Sequence, residues 1–338
     1  MTLLLSICIA TRNRAEFICE TLTSILTQVD DHRNSVEVLV CDGASSDGTA
    51  EAVERMAAAN PALRLLRQGQ NGGVDKDYDL AVIAAQGHHV WLMTDDDTLE
   101  PGAVARVLAA CHQGHQLIVV DALVCGPDLQ QVLQPRRLPF GGERVYAAGA
   151  PELLADLGDH LTFIGSVVIR RDLWLARERE PYYGSLFIHV GVIFQAALPG
   201  SALAIGEPLV RIRYGLGGWK PRRFEVWMFL WPQLIWSFAG YPASTRQQVV
   251  AQEPWRRIQV LANYRAKGAY GLAEYRHYIV PRLGPGPRRF ASLAVACIPG
   301  RLLNGLALLL ASLGGRGLGS GSMDLRASVH YWRRMPWT

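Results

Sequence analysis

The sequence predicts an α/β fold in which helices flank a mainly parallel sheet and a helical region follows at the C-terminal end. In residues 1–125, apolar runs of strand length alternate with segments whose apolar residues recur at helical spacing. Strands that alternate with helices form parallel sheets with helices on both faces. After about residue 220 the chain is rich in tryptophan and in long apolar stretches, which we expect to be helical.

Five strands and four helices are predicted in the alternating part of the chain. The first strand, LLLSICIA, is a continuous apolar run rich in β-forming residues, and the polar segment TRNR follows it. The first helix carries apolar residues at helical spacing, such as Ile18, Leu22 and Ile25. The predicted strands are 3–10, 36–41, 62–67, 88–93 and 116–124, and the predicted helices are 15–28, 49–59, 76–86 and 101–112.

Residues 140–214 have a less regular pattern. PELLADLG (151–158) predicts a helix and TFIGSVVIR (162–170) predicts a strand. SLFIHVGVIFQAAL (185–198) fits either a helix or a buried strand, and ALAIGEPLVRIRY (202–214) predicts two short strands.

The composition indicates a folded protein whose charge is divided unevenly along the chain. Of the 338 residues, 49% are hydrophobic and 19% are charged, so the chain can bury a large core. Residues 1–214 contain 17 Lys and Arg against 26 Asp and Glu, a net charge of −9. Residues 215–338 contain 17 against 4, a net charge of +13, and a basic apolar segment suits an anionic surface.

The six cysteines favour a reduced, cytoplasmic setting. They form no CxxC pair, and no cysteine and histidine cluster has the spacing of a zinc site. The N-terminal sequence MTLLLSICIATRNR lacks a basic region and a small-residue cleavage site, so we interpret it as a core strand and not as a signal peptide.

Polar segments follow three of the predicted strands. They are TRNR (11–14), DGASSDG (42–48) and TDDD (94–97). In sheets of this class the ligand binds in a crevice at the carboxyl ends of the strands. We therefore expect the three segments to meet at one site.

Three consecutive aspartates, Asp95, Asp96 and Asp97, end the fourth strand. Adjacent carboxylates repel one another, and a divalent cation such as Mg²⁺ or Mn²⁺, which prefers oxygen ligands, would explain them. The alternative is a solvated turn in which Asp97 or Thr98 caps the next helix. Both can hold if one aspartate caps and another binds the metal.

Asp42 directly follows the second strand. A carboxylate in this position can accept a hydrogen bond from a base N–H or a ribose hydroxyl of a nucleotide. It can equally hold its own loop in an Asx-turn.

Taken together, ATRNR (10–14), CDGASSDGT (41–49) and WLMTDDD (91–97) resemble the motifs of the family 2 glycosyltransferases, which have a Rossmann-like GT-A fold. The resemblance covers about residues 3–215 and implies a nucleotide-sugar donor and a Mn²⁺ or Mg²⁺ ion that bridges its diphosphate. It implies that Thr11, Asn13 or Arg14, and Asp42 hold the nucleoside, that Asp95 lies near the ribose, and that Asp96 and Asp97 reach the metal.

This sequence departs from the family pattern at two places. Cys41 stands where the first of two aspartates is usual, and Asp42 keeps the second. In the segment 71–79, whose usual pattern is Asn-x-Gly-x-x-x-Ala-Arg-Asn, Tyr78 stands in the arginine position. Lys76 can replace that arginine as a point charge, or it can be an ordinary solvated lysine.

GGVDKDYDLAV (72–82), FIGSVVIRRDLW (163–174) and FIHVGVIF (187–194) look closest to the abequosyltransferase-like branch, whose members add a deoxyhexose to a lipid-linked O-antigen precursor. Inverting transfer needs one general base on the acceptor hydroxyl. The family often places an acidic base in the segment that is 182–194 here, where His189 is the one titratable candidate with a suitable pKa. The alternatives are a buried core role for His189, with Asp159 or Asp121 as the base.

The basic C-terminal region does not predict a membrane span, because Pro232 and Arg301 interrupt its apolar stretches. It fits helices at a membrane interface, with tryptophans at headgroup depth and arginines on anionic lipid. A packed helical subdomain or a dimer interface is the alternative, and nucleic acid fits less well. The arginines in question are Arg222, Arg223, Arg288, Arg289, Arg333 and Arg334.

The sequence thus predicts a catalytic domain at 1–215 and a membrane-associating helical region at 216–338. We expect a metal-dependent inverting hexosyltransferase at the inner face of the cell membrane. It would act on a glycan or a lipid-linked saccharide, and a homo-oligomer is possible. A sugar-phosphate nucleotidyltransferase is an alternative, although ATRNR lacks the glycines that its loop would need. A non-catalytic nucleotide-sugar-binding scaffold is another.

Overall fold

The computed structural model describes residues 3–215, 220–313 and 320–332, and the chain divides into two compact units. The first unit consists of Met1–Cys125, Pro135–Arg213 and Phe238–Thr245. The second unit consists of Gly126–Gln134, Tyr214–Ser237 and Arg246–Thr338.

Ten strands occur in the described residues: β1 (Leu5–Thr11), β2 (Val36–Asp42), β3 (Leu63–Arg67), β4 (His89–Met93), β5 (Thr98–Leu99), β6 (Leu117–Cys125), β7 (Val132–Gln134), β8 (Glu143–Tyr146), β9 (Val167–Arg170) and β10 (Ala202–Arg213). The α-helical segments of the same ranges are α1 (Ile18–Val29), α2 (Thr49–Ala59), α3 (Val74–Ala84), α4 (Ala103–Cys111), α5 (Glu152–Leu157), α6 (Arg171–Leu175), α7 (Ile188–Phe194), α8 (Arg223–Glu225), α9 (Trp231–Ser237), α10 (Ala243–Val249), α11 (Ile258–Ala266), α12 (Leu272–Glu274), α13 (Pro287–Cys297), α14 (Gly300–Leu313) and α15 (Ser320–Arg326).

The first unit contains a mixed sheet with the strand order β3-β2-β1-β4-β9-β6-β10-β5, and β8 pairs with β10. The four strands β3, β2, β1 and β4 are parallel, as the alternating pattern predicts. β9 lies between β4 and β6 and runs antiparallel to both, so the sheet is less parallel than expected. β9 is also shorter than the predicted strand, because Ile164–Ser166 forms a 3₁₀ turn before it.

β10 is one strand of 12 residues where two short strands were expected. It pairs in parallel with β6, and its register shifts on both sides of Pro208. Proline cannot donate a ladder hydrogen bond, and an irregularity of this kind lets a strand continue past it. The strand therefore runs on to Arg213, next to the aspartates that follow β4.

The core of the first unit lies between the sheet and three helices, α1, α2 and α4. Alternate residues of a strand point to the same face, and the residues of β1 and β2 on this face are fully or almost fully buried. The strand residues Ile7, Ile9, Val38 and Val40 pack with Ile18, Leu22 and Ile25 on the apolar face of α1. α3 packs against β1 and β2 and supplies no residue to this cluster.

The second unit has a core of its own that is rich in aromatic side chains. The rings of Phe224 and Tyr270 are 5.1 Å apart, and those of Phe229 and Tyr278 are stacked at 5.2 Å. Trp255 belongs to this core and Trp227 packs against it. These two tryptophans therefore help to stabilise the fold of the unit.

Candidate active site

The loops that follow β1 and β2 are joined by hydrogen bonds. Thr11 and Asp42 are partners in the β1–β2 register. The amide of Asn13 donates to Oγ of Ser45 at 2.9 Å, and Oδ1 of Asn13 accepts from the amide of Ser46 at 2.9 Å. Asn13 has a φ of 55°, a left-handed conformation that asparagine tolerates better than most residues. The first two polar segments therefore form one surface.

Arg14 connects this surface to the aspartates that follow β4. Nε of Arg14 lies 3.6 Å from Oδ1 of Asp95, and Nη2 lies 3.9 Å from Oδ2 of Asp96. The three side chains are partly accessible, with 14–20% of their surfaces exposed. The three polar segments thus meet at the carboxyl ends of the strands, as the sequence predicts.

Asp42 holds its own loop, which is one of the two roles that the sequence allowed. Its side chain is buried, and Oδ2 accepts a hydrogen bond of 3.0 Å from the amide of Ser45, which holds the loop. Oδ1 has no hydrogen-bond partner within the described ranges. A buried carboxylate oxygen without a partner costs free energy, so a ligand N–H or O–H at this position would be stabilising.

Asp97 is buried, and both of its carboxylate oxygens accept hydrogen bonds. Oδ1 accepts from the amide of Arg213 at 2.7 Å, and Oδ2 accepts from the hydroxyl of Thr94. Helix α4 begins at Ala103 after Gly102, and Thr98 belongs to β5. The solvated turn with Asp97 or Thr98 as a helix cap is therefore wrong.

The pKa values of the three aspartates are all displaced upward. Burial raises the pKa of Asp95 to about 7, and the charge of Asp96 adds to the effect while Arg14 opposes it. Burial and the charge of Asp96 also raise the pKa of Asp97, and burial raises that of Asp96. Placing these carboxylates close together therefore costs electrostatic free energy, and the positive charges of Arg14 and Arg213 do not remove that cost.

The acidic cluster suits a hard divalent cation that shares its ligands with a substrate. No group of three acidic, cysteine or histidine side chains surrounds a single point in the part of the chain that the structure describes. Mg²⁺ commonly binds to one or two carboxylates and completes its shell with phosphates and water. Asp96 can act as such a carboxylate ligand directly. Asp97 can do so through the lone pairs of its oxygens that are not used in its two hydrogen bonds.

Helix α3 carries the residues at which the sequence departs from the family pattern. Tyr78 is buried, and its hydroxyl donates a hydrogen bond of 3.0 Å to the carbonyl of Met93 at the end of β4. The tyrosine thus supports the strand before the aspartates and does not offer a charge to a phosphate. Lys76 is exposed on the same helix, and its positive charge opposes the burial that raises the pKa of Asp77.

Three buried aspartates on α3 were not recognised as a group in the sequence. Asp75 accepts hydrogen bonds of 2.9–3.1 Å from the amides of Gly184, Leu186 and Ile188. Asp79 accepts from Nε1 of Trp174 at 2.8 Å and pairs with Arg179 at 3.0 Å. Asp75 and Asp79 therefore fix the segment that leads into α7. The signal in the sequence is an aspartate at every second position of a helix that is otherwise partly apolar.

His189 lies on α7 and has no exposed surface. Its Nε2 is 2.7 Å from the carbonyl oxygen of Leu161, and its Nδ1 has no partner in the described residues. Burial lowers its pKa to about 4. A general base must come within hydrogen-bond reach of the acceptor hydroxyl, so in this conformation His189 has the environment of a core histidine.

The two reserve candidates for the base differ in accessibility. Asp121 is fully buried, and its Oδ1 accepts three amide hydrogen bonds of 2.8–3.0 Å. Asp159 is exposed, next to Arg137, whose side chain donates to the carbonyl of Asp159 at 3.4 Å. The assignment of the base to His189 stays a prediction, with Asp159 as the accessible alternative.

Comparison with known proteins agrees with this arrangement. Residues 6–169 match the model of the family described as glycosyl transferase family 2. The chain is 26% identical over 224 residues to the abequosyltransferase RfbV of Salmonella typhimurium, which covers 62% of this chain and 67% of that protein. It is 35% identical over 107 residues to the chondroitin synthase of Pasteurella multocida, which covers 31% of this chain and 10% of that protein.

Solved structures show the same fold. The crystal structure of S. aureus TarS 1–349 matches with a TM-score of 0.58 at 16% identity, covering 96% of this chain and 91% of that chain. TarS 1–349 in complex with UDP-GlcNAc matches with a TM-score of 0.53. The chain therefore has a GT-A-like fold, residues 6–169 match a family 2 glycosyltransferase domain, and these relatives support a glycosyltransferase enzyme.

Proposed function

We propose that this protein is a metal-dependent inverting glycosyltransferase that moves a hexose or deoxyhexose from a nucleotide-sugar donor to a hydroxyl of a glycan or lipid-linked saccharide. The observation that carries the proposal is the meeting of Asp42, Arg14 and the aspartates 95–97 at the carboxyl ends of parallel strands. The similarity to an abequosyltransferase supports a role in bacterial surface polysaccharide synthesis, including O-antigen.

The nucleoside would bind at the loops after β1 and β2. Oδ1 of Asp42 is the natural acceptor for a donor hydrogen of the nucleoside, because it is buried and has no partner in the described residues. Thr11 ends β1 beside Asp42, and Asn13 and Arg14 follow it. Asp95, held 3.6 Å from Arg14, would lie near the ribose.

Asp96 and Asp97 would hold a Mn²⁺ or Mg²⁺ ion, which supplies positive charge to the diphosphate leaving group. Arg213 keeps these aspartates in position, since its amide donates to Asp97 and its Nε donates to the carbonyl of Asp96 at 2.9 Å. Lys76, exposed on α3, would contribute a point charge near the donor.

In the transfer, the acceptor oxygen forms a bond to the anomeric carbon while the bond from that carbon to the diphosphate breaks. A base on the protein takes the proton of the acceptor hydroxyl. His189 is the candidate by its position in the sequence, although a change of conformation would have to expose it. Asp159 is the candidate by accessibility, and Asp121 is the remaining one.

We also propose that the second unit binds an anionic membrane surface through α13 and α14. No single helix in the described ranges is long and apolar enough to cross a bilayer, and α13 and α14 meet that test only as a pair bent by 93°. The two helices expose large apolar side chains and contain three arginines and no acidic residue. The exposed residues are Phe290 (73%), Leu302 (67%), Leu306 (52%), Leu309 (56%) and Leu310 (60%).

This arrangement matches a helix that lies in the membrane interface. Leu302, Leu306, Leu309 and Leu310 recur at helical spacing and so share one face. Arg288, Arg289 and Arg301 can contact lipid phosphates beside that face. Arg333 and Arg334, which the sequence also assigned to lipid, lie outside the described residues. Such binding would hold the protein at the inner face of the cell membrane.

The central test is turnover with a panel of nucleotide sugars, Mn²⁺ and a lipid-linked saccharide acceptor, followed by release of the nucleoside diphosphate. Asp42→Ala should raise the donor KM more than it lowers kcat, because it removes a contact to a part of the donor that does not react. If the wild type binds nucleotide sugars and never transfers the sugar, the protein is a binding scaffold. Formation of pyrophosphate from a nucleoside triphosphate and a sugar phosphate would make it a nucleotidyltransferase.

A further inference from the structure

Asp77 differs from the other two buried aspartates of α3. The carboxylates of Asp75 and Asp79 are held by several donors from the segment 174–188. Asp77 is 3% exposed, and its Oδ1 has no hydrogen-bond partner among the residues that the structure describes. Folding alone therefore gives no reason for a carboxylate at this position.

The carboxylate of Asp77 lies against the loop that carries Asp42. A Cβ atom at Gly43 would lie 2.5 Å from Oδ2 of Asp77, so the carboxylate is in close contact with this glycine. Asp42 precedes that glycine, and its own Oδ1 is also buried without a partner in the described residues. Two desolvated carboxylates thus approach each other at the place where the nucleoside would bind.

This arrangement disfavours the charged form of Asp77. Burial raises its pKa to about 6, the charge of Asp42 adds to the effect, and Arg12 and Lys76 oppose it. The charge of Asp77 also acts on the thiol of Cys41, whose pKa is raised by burial and then by Asp77. Burying two carboxylates close together costs free energy. Hydrogen bonds from donor groups of a ligand to both carboxylates offset that cost.

We propose that Asp77 is a specificity-determining residue of the nucleoside site, where it and Asp42 together accept hydrogen bonds from a nucleoside that presents at least two donor hydrogens. The donors are N–H groups of the base or hydroxyls of the ribose. A single carboxylate can accept a hydrogen bond from the one imino hydrogen of a base. A second carboxylate beside it repels the carbonyl oxygens of a base and favours a nucleoside that has a further donor hydrogen. This inference rests on the proposed function, because it assumes that a nucleotide binds at these loops.

The experiment is calorimetric binding of CDP, UDP, GDP and ADP, with Mn²⁺ present, to the wild type and to Asp77→Ala and Asp77→Asn. The alanine variant places at position 77 the residue that the related motif usually has, so it is expected to fold. Glu54→Ala, an exposed site on α2, is the control for the change in net charge. Melting temperatures of all variants establish that the comparison is made between folded proteins.

Asp77→Ala should weaken the preferred nucleotide by roughly 10- to 100-fold, the usual value of a hydrogen bond to a charged group, and Glu54→Ala should not. If the base supplies the donors, the loss is confined to some bases and the ranking among the four flattens. If the ribose supplies the donors, Asp77→Ala lowers the affinity for all four nucleotides equally. That loss of affinity then disappears with a deoxynucleotide that lacks the contacted hydroxyl.

The inference is overturned if folded Asp77→Ala binds every nucleotide as tightly as the wild type or more tightly. That result would leave the proposed function standing, because the wild type still binds. A wild type that binds none of the four nucleotides with Mn²⁺ would overturn the proposed function and this inference together.

Discussion

The backbone amide of Arg213 donates a hydrogen bond of 2.7 Å to Oδ1 of Asp97, across 116 residues of sequence. Nε of the same arginine donates to the carbonyl of Asp96, and its guanidinium also forms an ion pair with Glu20 of α1. The end of β10 therefore holds the acidic cluster that ends β4. The geometry of the proposed metal site depends on a residue from the last strand of the sheet.

Arg213→Ala should lower both stability and metal-dependent nucleotide affinity. It removes a buried guanidinium and leaves the carbonyl of Asp96 and the side chain of Glu20 without this donor, at a cost of about 1–3 kcal/mol in the free energy of unfolding. Chemical denaturation and calorimetry measure the two effects. Arg213→Lys keeps the charge and loses the planar donor group, so it should recover only part of the loss. Unchanged affinity in a folded alanine variant would show that the side chain of Arg213 does not position the aspartates.

Asp96→Asn should remove most of the dependence of nucleotide diphosphate binding on Mn²⁺. The substitution deletes a charged ligand while it keeps the size of the side chain. Asp97→Asn should have the same direction of effect, because it removes the charge of the second carboxylate that we propose to hold the ion. The measurement is the ratio of nucleotide affinities with Mn²⁺ and with chelator. Equal affinities in the wild type under both conditions would exclude the metal role.

Asp95→Asn should raise the melting temperature of the metal-free protein more at pH 8 than at pH 5. The pKa of Asp95 is about 7 in the folded protein and lower in the unfolded chain, where its ordinary value is 3.8. Between these values the unfolded state releases a proton that the folded state retains, so the carboxyl lowers stability as the pH rises toward 7. Asparagine cannot ionise and avoids this loss. A wild type that is equally stable relative to the variant at both pH values would contradict the raised pKa.

The sequence could predict the meeting of Asp42 and Asp95–Asp97 because the carboxyl ends of parallel strands lie at one edge of a sheet. It could not predict the reversed strand β9, since a single apolar run such as TFIGSVVIR carries no signal of direction. Asp75, Asp77 and Asp79 look alike in the sequence. Only their distant neighbours distinguish two structural carboxylates from Asp77, whose Oδ1 has no hydrogen-bond partner in the described part of the chain. The environment of His189 is also a long-range effect, because its ring contacts the carbonyl of Leu161, 28 residues away.

A variant with Leu306→Ser and Leu310→Ser on α14 should bind anionic vesicles less well than the wild type. Both side chains are at least half exposed, so the substitutions remove apolar surface from the face that would enter the interface without opening a cavity in the core. Vesicle sedimentation at 0.1 M and 0.5 M salt measures this binding, because charge attraction is screened within about 10 Å at the lower concentration. Leu272→Ser, an exposed position outside α13 and α14, is the matched control. If the double variant sediments like the wild type, the packed-subdomain alternative is favoured.

His189→Ala should lower the melting temperature, because it removes a fully buried ring that contacts the carbonyl of Leu161 at 2.7 Å. Such a change leaves a cavity and an acceptor without its donor. Nucleotide affinity should be nearly unchanged, since the loops after β1, β2 and β4 remain intact.

Turnover of the folded His189→Ala protein decides whether His189 is the general base. A fall in kcat of roughly 100- to 10,000-fold at a temperature well below the melting point would support His189, because that is the usual contribution of a positioned base. Activity close to the wild type would leave His189 a core residue. In that case Asp159→Asn, which alters an exposed side chain and should not affect stability, is expected to produce the fall in kcat instead. If Asp159→Asn is also active, the role passes to Asp121, whose Oδ2 is buried without a partner in the described residues.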